Sequence, residues 1–365
     1  SRGEIGAAVA VAIDGELVVD LWGGMRDRER ALPWERESVA NVWSTTKGVA
    51  AACIAMLVSR GKLAYGDPVA QHWPEFATHG KGSVTVAQLL SHQAGLCGLR
   101  RPATLADLCD SRGMAAELAA MEPWWTPGDG SGYHAITVGF LVDELVRRID
   151  GRDLRDFVAE ELREAFGLNL SIGLPGTREA DAATAYAPAE QGSGSDSAAP
   201  ALDALRASAL ANPALSPTVS NEPAWRQASI PSANGFADAR SLAQLYGALA
   251  GDGRLAGVEL VGSGARSAMR ELQYAGHDRV LVLPVRWACG FLLNSLGLYG
   301  PGENSFGHSG WGGSFAFGDP ECRLGCAYVM NAMGRDLVGD PRATGLVAAL
   351  YDVLTTASAA EGGTP

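Results

Sequence analysis

The sequence has little of three things: lysine, long apolar runs and paired cysteines. Only three of its 365 residues are lysine, so arginine supplies the other 26 of the 29 basic side chains, against 41 acidic ones. The net charge of −12 and the lack of basic runs argue against nucleic acids and anionic membranes as partners. No apolar run approaches the ~20 residues that a membrane-spanning helix needs.

The six cysteines are scattered without CxxC spacing. This pattern predicts free, mostly buried thiols and argues against a disulfide framework or a metal cluster. No HExxH string occurs, and the six histidines lack ligand spacing, so neither a metal nor a cofactor is expected. No signal peptide is recognisable, and a cytoplasmic location is expected. Nothing in the sequence indicates an oligomeric state.

Apolar periodicity and turn residues predict the following elements. Two strands within 6–23 form a hairpin around Asp14-Gly15. Helices are predicted over 44–60, 85–91, 135–149, 153–165, 238–250 and about 342–354. Strands are predicted over Trp287 to Leu293, Ser314 to Gly318 and Leu324 to Met330, and the segment 181–220 is predicted as surface loop with a short helix.

Strands near both ends and helices between them predict a mixed α/β (α+β) fold. An antiparallel sheet flanked by helices would comprise residues 1–66 and 226–365, and a mainly helical lobe residues 67–225. A cleft between these two units is the expected ligand site.

Ser44-Thr45-Thr46-Lys47 opens the apolar helix predicted over 44–60. Positions i and i+3 share a helix face, so the Ser44 oxygen and the Lys47 nitrogen can meet. The positive potential of a helix N-terminus favours a serine alkoxide and a neutral amine, and burial can lower a lysine pKa by up to ~3–5 units. The pattern therefore predicts a nucleophilic serine whose proton is taken by a lysine.

The other two lysines have a different setting. A second SxxK match, Ser59-Arg60-Gly61-Lys62, lies at the predicted end of the same helix, where a solvated lysine suits the helix dipole. Lys81 stands between two glycines and is expected to be a solvated loop charge. Only Lys47 is placed where a neutral amine is required, which arginine cannot supply.

Two further segments carry candidate chemistry. Trp124 to Gly128, followed by Gly132-Tyr133-His134-Ala135, places Tyr133 on a loop entering a helix. A tyrosinate near a lysine is a possible general base, and a tyrosine packed at a helix start is the alternative. The glycine-dense run 307–315 lets a ligand approach backbone N–H groups, with a tight turn as its alternative. Ser309 within it nearly matches GxSxG, except that Trp311 replaces the last glycine, so Ser309 is a rival nucleophile.

Taken together, these segments resemble the serine β-lactamase and penicillin-binding protein superfamily, in particular its class C-like branch and the family VIII carboxylesterases. The resemblance implies a β-lactamase/transpeptidase-like fold and no cofactor. The strings that carry it run in the family's order over nearly the whole chain: Val42 to Lys47, Leu89-Leu90-Ser91-His92-Gln93-Ala94-Gly95-Leu96, Pro127-Gly128 with Tyr133, Pro231 to Gly235, and Phe306 to Gly310.

The resemblance also implies roles for individual residues. Ser44 would be the acylated nucleophile, Lys47 its proton partner, and Tyr133 the general base and later the acid toward the leaving group. The backbone N–H groups of Ser44 and Trp311 would form the oxyanion hole. Residues expected to contact the substrate are His308, Ser309, Gly310, Trp311, Trp124, Trp125 and His134.

Two departures from the family pattern favour esters over β-lactams. Ala135 takes the asparagine position of the Tyr-x-Asn motif, and His308 takes the lysine position of the Lys-Thr-Gly motif. A neutral histidine leaves less positive charge for an acidic substrate. An aromatic wall of Trp124, Trp125 and Trp311 would suit short acyl chains or aryl esters.

The partner expected from this sequence is a small ester or acyl compound. Three alternatives to ester hydrolysis stay open: acyl transfer to an alcohol or amine, weak β-lactamase or D-amino-peptidase activity, and a non-catalytic ligand sensor.

Overall fold

Fourteen strands and twelve α-helices make up the part of the chain that the computed structural model describes, residues 3–188 and 202–361. The strands are β1 Gly6–Ile13, β2 Glu16–Asp27, β3 Leu32–Pro33, β4 Ala40–Asn41, β5 Leu170–Ile172, β6 Gly235–Ala237, β7 Arg254–Leu255, β8 Val258–Glu259, β9 Tyr274–His277, β10 Pro284–Trp287, β11 Leu292–Leu293, β12 Phe306–Ser309, β13 Phe315–Asp319 and β14 Leu324–Met330. The helices are α1 Thr46–Ser59, α2 Val69–His72, α3 Val86–Leu90, α4 Leu105–Cys109, α5 Ser111–Ala120, α6 Thr137–Asp150, α7 Leu154–Val158, α8 Ala204–Leu210, α9 Pro223–Gln227, α10 Ala239–Ala250, α11 Ser263–Met269 and α12 Pro341–Glu361.

A nine-stranded antiparallel sheet joins the two ends of the chain, in the order β3-β2-β1-β14-β13-β12-β11-β10-β9. Val9 of β1 lies opposite Leu21 of β2 on one side and Tyr328 of β14 on the other. The predicted hairpin is confirmed, and its two turn residues have the positive φ angles, 52° and 83°, that Asp-Gly favours in such turns. The predicted mixed fold is confirmed as well.

Helix α10 packs directly on this sheet because glycines bring the two backbones together. A methyl group on Gly325 of β14 would lie 2.1 Å from the carbonyl oxygen of Ala243 in α10. Gly247, one turn further along the helix, sits over Ala12 of β1. Larger residues here would push the helix off the sheet.

Helix α1 forms the centre of the molecule, since every residue from Thr46 to Leu57 is buried. A helix that is apolar all round is expected to be buried on all sides. The predicted helix over 44–60 is confirmed, with one refinement: Trp43–Thr45 form a 3₁₀ turn in front of α1, so Ser44 precedes the regular helix.

The helical segment from α2 to α9 lies between the terminal strands in sequence. A small three-stranded sheet, in the order β4-β6-β5, ties it to the rest, because β5 comes from this segment while β4 and β6 come from outside it. The division into units 1–66 with 226–365 and 67–225 stays a prediction.

Several predicted elements need correction. The single strand over Trp287 to Leu293 is wrong: Trp287 ends β10, Leu292 begins β11, and the two residues pair across a tight turn. Gly290 turns the chain there with φ +86° and packs on Ala51 of α1. Helix α12 extends past the predicted end at 354. Of the predicted surface segment 181–220, residues 189–201 lie outside the described residues.

Lys81 is buried, contrary to the prediction of a solvated loop charge. It starts a 3₁₀ turn, and its Nζ donates hydrogen bonds to the Met121 carbonyl at 2.7 Å and to the Thr78 hydroxyl at 3.3 Å. Nζ also lies 5.7 Å from the centre of the Phe76 ring. Burial lowers the pKa of Lys81 to about 8.

In the described ranges all six cysteines are free, four of them buried, as predicted. Within the same ranges, every helix is too short or too polar to cross a membrane.

Candidate active site

Ser44 sits in a strained turn that is anchored by two hydrogen bonds to Val42, the residue before the turn. Trp43 before it has φ +48°, a conformation that costs a bulky residue of order 1–3 kcal/mol and persists only when the surroundings enforce it. The Val42 N–H donates to the Gly235 carbonyl at 2.8 Å, and the Val42 carbonyl accepts from the Ser314 hydroxyl at 2.8 Å. The turn therefore holds Ser44 at the entrance to α1.

Lys47 reaches Ser44 from the first turn of α1. Its Nζ lies 2.9 Å from the Ser44 Oγ, 2.6 Å from the Ala135 carbonyl oxygen and 3.0 Å from the Ser232 carbonyl oxygen. Burial lowers the pKa of Lys47 well below its ordinary value. A neutral amine has two N–H donors and one lone pair, so it can serve both carbonyls and still accept the Ser44 proton.

Tyr133 closes the other side of the pair. Its ring centre lies 4.9 Å from the Lys47 Nζ. Burial raises the pKa of Tyr133 far above its ordinary value, while the nearby Ser44 side chain acts in the opposite direction. The pKa of Lys47 is therefore shifted toward the neutral amine, and that of Tyr133 toward the protonated phenol.

Strand β12 places His308 beside Tyr133, with ring centres 6.0 Å apart. The His308 Nδ1 donates to the Ser309 carbonyl at 2.9 Å, because a carbonyl oxygen can only accept. Its buried Nε2 has no partner among the described residues. Burial, followed by the nearby Lys47, lowers the pKa of His308 to about 3, so the imidazole is neutral.

Ser309 lies at the edge of the site without a base. Its hydroxyl partner in the described structure is the Tyr299 hydroxyl at 3.3 Å. Gly310 follows it, where any side chain would collide with the Val42 carbonyl 2.3 Å away. This close approach brings the end of β12 against the Ser44 turn.

The backbone N–H of Trp311 donates no backbone hydrogen bond within the described residues. The loop behind it is fixed through the Gly312 carbonyl, which accepts from the Gly334 N–H at 2.8 Å and from Arg342 at 2.6 Å. An N–H held in this way is suited to an oxyanion hole.

A cavity of about 220 Å³ opens on Ser44. Among the described residues no charged side chain lines it, and Trp43 and Trp311 meet edge to face at 4.8 Å on its wall. The side chain of Asn212, in the wall, is hydrogen-bonded to the 99–103 loop: it accepts from the Ala103 N–H and donates to the Leu99 and Arg101 carbonyls. The other lining residues are Ala135, Ile136, Ala209, Leu210, Pro213, Leu215, Ala233 and Leu337.

Of the seven predicted substrate contacts, Trp311 lines this cavity and the other six do not; three of the six bind backbone groups elsewhere. The Trp124 indole donates to the Gly98 carbonyl at 2.8 Å, and the Trp125 indole to the Gly130 carbonyl at 3.1 Å; neither ring lines the cavity. Both ring nitrogens of buried His134 are used by the backbone, Nδ1 at 2.6 Å from the Gly132 carbonyl and Nε2 accepting from the Leu96 N–H at 2.9 Å.

Sequence reasoning missed Trp43 and the segment 209–215. Trp43 replaces Trp124 and Trp125 as the ring beside Trp311, and its position directly before Ser44 was an available signal. The segment 209–215 is part of the predicted surface region, yet it forms one wall of the cavity. No local pattern marks it, because its apolar residues face the site only after the lobe has folded.

The chain also compares closely with known proteins. The sequence profile of the family described as Beta-lactamase matches residues 1–349. The chain belongs to the beta-lactamase family. Within it, the chain is 39% identical over 350 residues to the esterase/beta-lactamase LipL of Mycobacterium tuberculosis, covering 91% of this chain and 78% of LipL.

Two solved structures are similar to this family member over nearly its whole length. One is a family VIII carboxylesterase, with a TM-score of 0.90 and 41% identity, covering 96% of this chain and 92% of that one. The other is a penicillin-binding protein homolog from Caulobacter crescentus, with a TM-score of 0.89 and 43% identity, covering 96% and 93%. The predicted family is thereby confirmed.

No group of three or more His, Cys, Asp or Glu side chains in the described ranges is arranged to hold a metal ion.

Proposed function

We propose that this protein is a serine esterase that cleaves small, uncharged carboxylic esters through an acyl-enzyme on Ser44. The observation that carries the proposal is the buried Lys47 amine, whose pKa is lowered by burial and which lies 2.9 Å from the Ser44 oxygen, at an apolar cavity. The esterase names of LipL and of the similar carboxylesterase support this reaction class.

In the first step the Ser44 oxygen attacks the ester carbonyl while its proton passes to Lys47. The N–H groups of Ser44 and Trp311 bind the developing oxyanion, and each such donor is typically worth about 10²–10³ in rate. The bond to the alcohol then breaks, the alcohol leaves with a proton from the Tyr133 phenol, and Tyr133 recovers a proton from Lys47, which returns to the neutral amine. Because the phenol is protonated at rest, we assign Tyr133 the role of proton donor and give that of first base to Lys47.

In the second step water attacks the acyl-enzyme and gives a proton to Lys47, which passes it to the Ser44 oxygen as the acyl bond breaks and the acid is released. The lining that the described residues provide carries no charged group, so a carboxylate-bearing substrate would lack a partner in it. The cavity is smaller than the ~300–1,000 Å³ of most sites for drug-sized ligands, which favours short acyl or alcohol parts. A cytoplasmic location and a small-molecule ester as partner are part of the same proposal.

The test is turnover of p-nitrophenyl acetate, butyrate and octanoate, with mass spectrometry of the protein during turnover. We expect the shorter esters to react faster and an acyl adduct on Ser44. Ser44→Ala should abolish both, whereas Ser309→Ala, the matched control, should still form the adduct. Full activity in Ser44→Ala with loss in Ser309→Ala would assign the nucleophile to Ser309 instead.

Adding a primary alcohol to the same assay distinguishes hydrolysis from acyl transfer. We expect free acid as the main product. An acyl-enzyme that is released only when alcohol or amine is present would make the protein a transferase with the same residues.

A further inference from the structure

Asp278, in the turn between β9 and β10, is a buried carboxylate that the reaction scheme above does not use. It is 1% exposed, and none of the ion pairs in the described ranges involves it. Burying a charge without a counter-ion is costly unless hydrogen bonds compensate. Asp278 accepts two hydrogen bonds from its own turn, from the N–H groups of Val280 and Leu281, each at 2.9 Å.

The other donors to Asp278 come from the Tyr133 loop and its packing partner. The Tyr133 N–H lies 2.9 Å from Oδ1, and the Ser131 hydroxyl lies 2.9 Å from Oδ2. The Trp287 indole N–H is a longer contact to Oδ2 at 3.4 Å. A carboxylate is the acceptor-only group with room for this many donors, which explains why an acid occupies this buried position.

These contacts reach the Tyr133 ring as well as its backbone. The Trp287 ring stacks parallel to the Tyr133 ring, at 5.9 Å between centres and an angle of 1°. The backbone adds a further link, since the Arg279 N–H donates to the Ser131 carbonyl at 2.8 Å. The Asp278 carboxylate therefore binds both the loop that carries Tyr133 and the Trp287 indole, whose ring is parallel to that of Tyr133.

We propose that Asp278 is a positioning residue that holds the Tyr133 ring beside the Ser44–Lys47 pair by binding the Tyr133 backbone, Ser131 and Trp287. The inference rests on the proposed function, because it presumes that Tyr133 delivers a proton during ester cleavage. The negative charge of Asp278 acts in the same sense: after burial and Tyr299, it helps to raise the pKa of Tyr133, which favours the protonated phenol.

The test compares Asp278→Asn with Asp143→Asn. Asp143 is a matched control, because it is also buried and accepts one serine hydroxyl, Ser111 at 2.6 Å, and one backbone N–H, Leu154 at 2.7 Å, within the helical lobe. The Asp278→Asn change keeps the size of the side chain, removes its charge and replaces one acceptor oxygen by an N–H₂ donor. We expect kcat on p-nitrophenyl butyrate to fall about 10- to 100-fold with KM nearly unchanged, since small misplacements of a reacting group cost this much.

Two further measurements separate positioning from general destabilisation. Asp143→Asn should keep kcat within about twofold of the parent although it melts at a lower temperature. In a Tyr133→Phe background, Asp278→Asn should cause no additional loss, because coupled residues are not additive. If Asp278→Asn does not fold, Ser131→Ala, which removes one donor and keeps the carboxylate, should show a smaller loss of kcat that Tyr133→Phe again suppresses.

Unchanged kcat in a folded Asp278→Asn protein, or a loss that multiplies with that of Tyr133→Phe, would overturn the inference. Full activity of Tyr133→Phe alone would instead overturn the proton-donor role in the proposed function, so the two failures are distinguishable.

Discussion

Lys47 and Lys81 are alike in their burial and hydrogen bonding but differ in what lies next to the amine. Both are buried, both donate hydrogen bonds to a backbone carbonyl and approach a hydroxyl, and both lie over an aromatic ring, Tyr133 or Phe76. Burial lowers the pKa of each amine. Yet the hydroxyl beside Lys47 is Ser44 on a cavity wall, whereas the Lys81 amine lies between Thr78 and the Met121 carbonyl, away from that cavity. A lysine whose pKa is lowered by burial is therefore required by the proposed chemistry but is not sufficient for it.

The largest difference is expected when each lysine is replaced by methionine, which keeps the chain length and removes the amine. Lys47→Met should reduce kcat/KM by about 10²–10⁴, the usual contribution of a general base. Lys81→Met should leave kcat/KM within a small factor of the parent. The measurement is p-nitrophenyl butyrate hydrolysis, with melting curves as the folding control. Comparable losses of kcat/KM in the two variants would show that the two lysines do not differ in their contribution to hydrolysis.

The pH profile sharpens the comparison further. Lys47 accepts a proton only when neutral, so kcat/KM should fall as the pH drops through the Lys47 pKa, well below 10.5 because burial lowers it. Lys81→Met should show the same acid limb as the parent enzyme. An acid limb that shifts in Lys81→Met would mean that the assay reports the wrong lysine.

Stability should respond to pH through Lys81. Its pKa is about 8 in the folded protein and near 10.5 when unfolded, so between these values the unfolded chain binds more protons. The free energy of unfolding should therefore rise with pH across this window, by at most about 1.4 kcal/mol per pH unit from this group. The contribution of Lys81 is measured as the difference in the free energy of unfolding between the parent and Lys81→Met, from urea denaturation at several pH values. Parallel curves for the two proteins would show that Lys81 keeps an ordinary pKa.

The smallest effect is expected at the hydroxyl beside Lys81. Thr78→Val removes the contact to Lys81 and the 2.8 Å hydrogen bond from Thr78 to the Ala119 carbonyl, which together should cost about 1 kcal/mol of stability. Ester hydrolysis should be unaffected, in contrast to the loss expected for Ser44→Ala. A large loss of hydrolysis in Thr78→Val would connect the Lys81 region to the active site.

Much of the site could be predicted because its main contact is local. Ser44 and Lys47 are three residues apart on one helical turn, so their distance follows from helix geometry once the segment is helical. The Asp14-Gly15 hairpin and α10 could be predicted for the same reason, because the patterns that indicate them lie within short stretches of sequence. The motif strings also run in a fixed order, which is why the family and the fold class could be predicted correctly.

What could not be predicted depends on contacts between distant segments. Nothing near Lys81 in sequence shows that Met121 will cover it, and flanking glycines favour the opposite expectation. Trp124 and Trp125 are aromatic residues next to a catalytic motif, yet their indole groups bind the backbone of neighbouring loops. The strand predicted over Trp287 to Leu293 failed because an apolar run can cross a turn when Gly290 packs against α1.

The sequence by itself determined the family, the antiparallel sheet built from both ends and the Ser44–Lys47 pair, since these depend on short-range periodicity and motif order. Only the tertiary structure decided which residues line the cavity, that Lys81 is buried and that Asp278 lies under the Tyr133 loop. Burial and the hydrogen bonds made across 145 residues, as between Tyr133 and Asp278, arise from the packing of whole elements, and no local pattern encodes them.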